Sequence, residues 1–354
     1  MLSSTPDALR STLDALRSTL IEVYMQVLRI FLFPVWFLYL IIIKVRNLLY
    51  DKDLLKTYRI SCKVISVGNV SFGGTGKTPL VIHLARYLKS RGMKVAVLTR
   101  GYRGTKSQKE PFVVSDGFTL YGDVQQCGDE ALLIAQSAEV PVIIGKDRAL
   151  SAKEALSRFN PDYLILDDGF QHRKLHRDID IVLLSSYDVL HVFPLGNLRE
   201  PLSSLKRASV IGLTKGSYSK LKDTVIKAAA NINIVEFHYD ITAWKIASDL
   251  LPASSISDKK IIVMSAIAQS NYFINQIQKL GAHIVHSISY PDHYYYTKND
   301  RIKAEELVHK FSADAIAITE KDLIKLESSG KLNEIYWTAI LTVSAPNLES
   351  ILLD

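Results

Sequence analysis

The chain has 354 residues, 48% apolar and 22% charged, the balance of a folded protein with one large or two medium domains and no long disorder. Lysine and arginine outnumber aspartate and glutamate by 43 to 36. The resulting charge of +7 admits nucleic acid, an anionic membrane or a phosphorylated substrate as partner without choosing among them. The two cysteines, Cys62 and Cys127, argue against a disulfide scaffold and a structural zinc site and fit a reducing cytoplasm.

The first twenty residues hold a tandem heptad, "DALRSTL" at 7–13 and again at 14–20, which suits a helix with a narrow apolar stripe and reads best as a local duplication in a solvated extension. Behind it "IFLFPVWFLYLIII", 30–43, contains no charge. As helix it spans roughly 21 Å, short of the ~30 Å hydrocarbon core. Extension back to Leu20 gives the length but takes in Glu22, Gln26 and Arg29. The flank that follows carries Lys44, Arg46, Lys52, Lys56, Arg59 and Lys63 against only Asp51 and Asp53, a bias toward the cytoplasmic leaflet. The segment is expected to anchor the protein in, or deeply on, a membrane. A buried core helix is the competing reading, and a cleaved signal peptide fits poorly because no small-residue cleavage site follows.

Val64–Val67 reads as a buried strand and Pro79–Arg91 as an amphipathic helix closed by Gly92. Between them lies Ser71-Phe72-Gly73-Gly74-Thr75-Gly76-Lys77-Thr78. Glycines let successive backbone N–H groups turn around phosphate oxygens, and the helix start favours anions. Lys77 would reach the β/γ-phosphates and the Thr78 hydroxyl would meet Mg²⁺. Ser71 departs from the glycine that usually opens such a loop.

Further runs at Val95–Leu98, Val140–Ile144, Ile181–Leu184 and Val210–Leu213 alternate with helical stretches, so the fold class expected is α/β, a P-loop-type parallel sheet with helices on both faces. "QCGDEALL" puts Asp129 and Glu130 where a loop enters a helix, so that a carboxylate projects over the phosphates. "YLILDDGFQHR" ends a strand on Asp167 and Asp168; a carboxylate there binds Mg²⁺ directly or through water, although acidic residues after a strand also form plain turns. Arg100, Arg103, Arg148 and Arg199 likewise lie beyond or between strand ends, where ligands gather in such folds. "YPDHYYY", 290–296, supplies His293 in an aromatic loop that could line a sugar or lipid surface; a hydroxyl acceptor needs a base, and an Asp tuned by a histidine provides one. Asn-Lys-x-Asp and the transporter signature Leu-Ser-Gly-Gly are absent from the sequence.

Together "VGNVSFGGTGKTP", "TRGYRG", "CGDEALL", "LDDGFQHR", "GNLREPLSSLKRA", "YPDHYYY" and "ITEKDLIKL", in order from Val67 to Leu326, resemble the tetraacyldisaccharide 4'-kinase family, the lipid A kinases of Gram-negative bacteria. In that family a small hydroxyl residue is usual at the position of Ser71. The resemblance implies transfer of the ATP γ-phosphate to the 4'-hydroxyl of a tetraacyl disaccharide 1-phosphate, with Mg²⁺, at the cytoplasmic face of the inner membrane. It implies Asp129 as base or base-assisting carboxylate paired with His293. Thr78, Glu130, Asp167 and Asp168 would lie near the metal, with Arg100, Arg148, Arg199 and His172 toward phosphates or substrate. Two stretches depart from the family pattern: Ser265–Ser270, and Tyr294 where a second histidine is frequent.

Three parts are expected: an N-terminal extension and membrane helix (1–62), a P-loop kinase domain (63–225), and a smaller α/β lid or substrate domain (226–354) carrying His293. A membrane-tethered P-loop ATPase driving a partner protein is the rival. A nucleic-acid module finds no reader motif among the scattered basic residues.

Overall fold

The structure is a computed structural model that describes residues 30–106, 110–216, 218–328, 330–346, 348 and 352. The heptad pair and the backward extension of the apolar run fall outside the described residues.

The chain opens with helix α1 (Ile30–Asp51). Then come β1 (Lys63–Asn69), α2 (Lys77–Ser90), β2 (Val95–Thr99), β3 (Phe112–Asp116), α3 (Val124–Cys127), α4 (Asp129–Ala138), β4 (Pro141–Ile144), α5 (Arg148–Phe159), β5 (Tyr163–Asp167), β6 (Ile179–Ser185), β7 (Val210–Thr214) and α6 (Ser219–Ala228). The second half holds β8 (Asn233–Ile246), β9 (Asp249–Pro252), β10 (Lys260–Ser265), α7 (Ser270–Lys279), β11 (His283–Ser289), α8 (Lys298–Phe311), β12 (Ala315–Thr319), α9 (Glu320–Glu327) and β13 (Tyr336–Ser344).

Central strands such as β1, β2 and β5 are near-continuous apolar runs buried on both faces, as parallel strands covered by helices must be. On one face Leu80, Leu84 and Leu88 of α2 and Ala131 and Ile134 of α4 form a cluster; on the other Ala152 and Ala155 of α5 pack on Val64, Leu98 and Leu164. One sheet runs β11-β10-β12-β13-β8-β7-β6-β1-β5-β2-β4-β3, with β9 on β8.

Strand β8 decides how the halves meet. Its first part, Asn233–Phe237, pairs parallel with β7; its later part, from His238 on, pairs antiparallel with β13. Since β10, β12 and β13 run parallel to one another, the second half extends beyond the carboxyl ends of the first and points its own carboxyl ends back at them. Ligands gather at carboxyl edges of such sheets, and here two such edges face each other. Residue 226, where the sequence division was drawn, lies inside α6, and the sheet continues across it.

Helix α1 presents Ile30, Phe31, Phe33, Phe37, Leu38, Ile41 and Ile42 outward, all exposed. Its opposite side packs Trp36, Tyr39 and Leu40 against the cluster around Val70, Phe170 and Leu198. Tyr39 donates to the Arg199 carbonyl (2.9 Å) and Asn47 to Glu200 (2.8 Å). The helix is long and apolar enough to cross a membrane, yet one side is docked along the protein body.

Candidate active site

The loop between β1 and α2 is shaped as the glycines demand. Gly73 and Gly76 sit at φ 132° and 91°, conformations that side chains rarely adopt. A Cβ on Gly76 would meet the Tyr239 ring at 2.6 Å. Gly76 caps α2 without any side-chain bond, so the helix's first N–H groups stay available to an anion. Ser71 is fully buried and donates to Asp188 Oδ2 (2.9 Å), while the Phe72 N–H goes to the Asn197 carbonyl. Its φ is not among the positive ones, so the position needs no glycine, and its hydroxyl ties the loop to the segment after β6. The Phe72 ring lies beneath the Arg199 guanidinium (5.1 Å) and edge-on to Phe193. Thr75 is buried with its hydroxyl unpartnered, and Thr78 is half-buried in the first turn of α2.

Across from the loop, Lys77 Nζ is 3.3 Å from Asp168 Oδ1, and Arg199 Nη1 bonds both Asp168 oxygens (3.1 and 2.9 Å). Burial alone would raise the Asp168 carboxyl, but Lys77 and Arg199 outweigh it and hold the group well below the ordinary range. Asp168 is at φ 53°, a strained setting for a residue with a side chain, fixed here by these two cations. Asp167 has the opposite fate: burial, then the charges of Glu130 and Asp168, push its carboxyl up. Thr99 donates to its Oδ2 (3.0 Å), while the buried Oδ1 has no partner.

Asp129 opens α4, and burial would raise its carboxyl too. The His293 hydrogen bond and the nearby Lys321 ammonium prevail and hold it at about 2. His293 Nδ1 lies 3.1 and 3.0 Å from its two oxygens. The pair bridges the two halves: Asp129 comes from the first, His293 from the loop after β11. Gly128 permits the approach, at φ 86° and with a Cβ position only 2.4 Å from the Tyr102 carbonyl. His293 sits at φ 60°, its ring against Tyr102 (4.9 Å), and its carbonyl accepts from Arg103 (2.7 Å). Lys321 Nζ stands 3.3 Å from Glu130 and from Asp292 and 3.6 Å from Asp129. Ion pairs and charge interactions thus link Lys77 through Asp168, Asp167 and Glu130 to Lys321, Asp129 and His293.

The profile of the tetraacyldisaccharide-1-P 4'-kinase family matches residues 28–354. The chain belongs to this family. It is 38% identical over 81% of its length to the tetraacyldisaccharide 4'-kinase of Syntrophus aciditrophicus, also covering 81% of that protein. It is 33% identical to the one of Bdellovibrio bacteriovorus, covering 90% of this chain and 95% of the relative. The crystal structure of LpxK from Aquifex aeolicus in complex with ATP superimposes with a TM-score of 0.74 at 32% identity, over 92% of this chain and 98% of that one.

Of the remaining residues singled out in the sequence, Arg148 is buried. Its guanidinium donates to the Gly145 and Asp167 carbonyls, bracing the end of β5, and burial lowers it to about 10. Arg100 is exposed at the end of β2. His172 is held to about 4 by burial and by Arg148, hence neutral, with Nε2 unpartnered. The aromatic loop is partly packed and partly open: Tyr295 is exposed, whereas its neighbours turn to acceptors within the protein. Tyr290 and Tyr294 stack (4.5 Å) and donate to Asp300, and Tyr296 donates to the buried Asp322 (2.9 Å); phenols in a packed loop need acceptors, and the two aspartates draw them inward. Tyr294, in the place of a second histidine, is therefore part of the loop's scaffold. The divergent stretch after β10 sits against the phosphate loop, with Ala268 Cβ 3.1 Å from where a Cβ on Gly74 would be.

Two cations escaped the sequence reading. Lys321 belongs to "ITEKDLIKL", where Thr319 and Asp322 cap α9 and thereby orient the lysine beside them. Lys215 follows β7, donates to the Gly74 carbonyl (2.6 Å) and is lowered to about 8 by burial. A lone lysine after a strand offers no pattern to find it by.

Proposed function

We propose that this chain transfers the γ-phosphoryl group of ATP to the 4'-hydroxyl of a tetraacyl disaccharide 1-phosphate, a lipid A precursor, at the cytoplasmic face of a bacterial inner membrane. The observation that carries the reading is the Asp129–His293 pair, brought from two halves of the protein to the edge that also bears the Lys77 loop. Phosphoryl transfer asks for positioning, neutralised charge and a destination for the hydroxyl proton. The backbone of 73–76, the α2 start and Lys77 hold the triphosphate; the Asp129–His293 pair receives the proton.

Mg²⁺ fits the acidic side of the site. Asp167 keeps a buried oxygen without a partner, and its carboxyl is raised first by burial and then by the charges of Glu130 and Asp168, a place that a cation would suit. Among the described residues no self-contained cage of three acidic, histidine or cysteine ligands forms, and Mg²⁺ commonly takes one or two carboxylates plus phosphate oxygens. Asp167 with the Thr78 hydroxyl would hold it, Glu130 nearby; Asp168, gripped by Lys77 and Arg199, would instead keep Lys77 in place. Bound there, the ion would neutralise charge on the transferring group.

Residues 63–225 act as the nucleotide-holding unit, and the part from β8 onward as the unit that brings His293 to it. Helix α1 lies in the membrane surface with its exposed apolar side down, its docked side keeping the site at the level of the acyl substrate. Incubation with γ-labelled ATP, Mg²⁺ and a detergent-dispersed acyl disaccharide 1-phosphate, followed by lipid chromatography, tests the activity. Label in the lipid is the expected result, and label only in free phosphate overturns it.

A further inference from the structure

Where α1 ends, away from the phosphate loop, a cavity of about 500 Å³ opens between the helix's last turn and the amino-end side of β6 and β7. That size falls in the range of ligand clefts, roughly 300–1,000 Å³. Its cations are of two kinds. Arg173, Arg177 and Arg207 are paired, with Asp51 (2.7 Å), Asp180 (2.8 Å) and Glu200 (2.8 Å). Lys56 and Arg59 have no acidic partner among the described residues: Lys56 rests over the Tyr58 ring (4.8 Å), and Arg59 Nη1 turns to the ring nitrogen of His176 (3.1 Å). Arg207 Nε is buried and unbonded. Even with Asp53, which also lines it, the cavity carries more positive than negative charge, and a phosphate would supply both negative charge and acceptor oxygens.

Tyr50, in the last turn of α1, also lines the cavity. The outward face of the same helix shows Ile42, Val45 and Leu48, and Leu54 just past it is 71% exposed. With α1 in the membrane surface as proposed above, a ligand entering here would arrive at the depth of lipid headgroups. From Tyr39, hydrogen-bonded to Arg199 of the phosphate loop's surroundings, to Tyr50 is about 16 Å of helix, so the cavity is separate from the triphosphate cradle. We propose that this cavity is a binding site for a lipid-borne phosphate, recognised by Lys56 and Arg59 beside the arginine cluster. The phosphate has two possible sources, an anionic phospholipid of the bilayer or the 1-phosphate of the acceptor; the second rests on the activity proposed above.

The test is the charge-reversed pair Lys56→Glu/Arg59→Glu, both exposed and outside the catalytic machinery, with Lys56→Arg/Arg59→Lys as the conservative control. In the first arm, without ATP or acceptor, the protein is sedimented with phosphatidylcholine vesicles with and without phosphatidylglycerol. In the second, transfer is measured in neutral detergent on acceptors carrying or lacking the 1-phosphate. A bilayer phospholipid predicts about tenfold or greater loss of binding to the anionic vesicles alone, consistent with the pull of an anionic surface on each basic residue. The acceptor's phosphate predicts a comparable rise in KM for the phosphorylated acceptor alone, with kcat kept. The control retains wild-type behaviour in both. No change in either arm, or equal loss on neutral vesicles, overturns the proposal. The vesicle arm is independent of catalysis, so failure of the kinase reading leaves it interpretable.

Discussion

Replacing Lys321 with methionine removes the ammonium that faces Asp129, Glu130 and Asp292 at 3.3 to 3.6 Å. At an effective dielectric near 20, each such contact is worth about 4–5 kcal/mol of raw attraction, much of it offset by desolvation. Removing one partner of a buried set leaves carboxylates uncompensated, and the expected loss of stability is about 3–5 kcal/mol near neutral pH. The pH dependence follows from the directions of the shifts. Burial works against the Lys321 ammonium, but Glu130, Asp129 and Asp292 raise it overall, so its contribution is complete below the ordinary lysine range and fades only as pH climbs past it. Asp129 is depressed to about 2, so its contribution is present above the ordinary aspartate value, about 4, and disappears as pH falls toward 2. The gap between Lys321→Met and wild type should therefore be widest between about pH 5 and 9 and close under acid. Urea unfolding across that range measures it. A gap below about 1 kcal/mol at neutral pH, smaller than a typical point mutation gives, or one that widens in acid, refutes the charge cluster as described.

Asp129→Ala should lower kcat by about 10²–10⁴ with nucleotide binding preserved, whereas Lys77→Ala weakens both, as separate kinetic and ATP-binding titrations would reveal. Ser71→Ala removes a buried donor from Asp188, whose carboxyl burial already raises; it should cost about 1–3 kcal/mol in thermal or urea unfolding while KM for ATP stays nearly constant, and a large KM change would mean that the hydroxyl touches nucleotide. Gly128→Ala forces a Cβ onto the Tyr102 carbonyl and should abolish the Asp129–His293 contact, read as lost activity and, in a crystal structure, a displaced start of α4. Phe33→Asp/Phe37→Asp, on the exposed side of α1, should release the protein from membranes at low ionic strength; persistence in the pellet would place the anchor elsewhere.

The nucleotide half was legible because its signals are local. An apolar run, glycines and Lys-Thr within fifteen residues fix strand, loop and helix, and β1 and α2 lie where the pattern puts them. Asp129 at a helix start was readable for the same reason. What the sequence could not convey is the reversal at β8, where one strand pairs parallel with β7 and antiparallel with β13. That switch turns the second half's edge toward the first and brings His293 and Lys321 to Asp129 from 164 and 192 positions away. No periodicity encodes such a meeting. The aromatic loop was only half legible for a related reason: the exposed Tyr295 and the tyrosines bonded to Asp300 and Asp322 are the same letters, and only the packed structure separates them. The family resemblance already made a hydroxyl residue at Ser71 ordinary; its non-positive φ and its bond to Asp188 supply the physical reason, a position that uses a hydroxyl and needs no glycine.

The most direct test of the paired proton acceptor is a double-mutant cycle on single-turnover phosphoryl transfer, using Asp129→Asn, His293→Ala and the two combined, with ATP saturating. If the groups act as one unit across the two halves, each single change slows transfer by orders of magnitude and the double change is hardly slower than the worse of them. Losses that multiply, or a single variant as fast as wild type, would contradict the account.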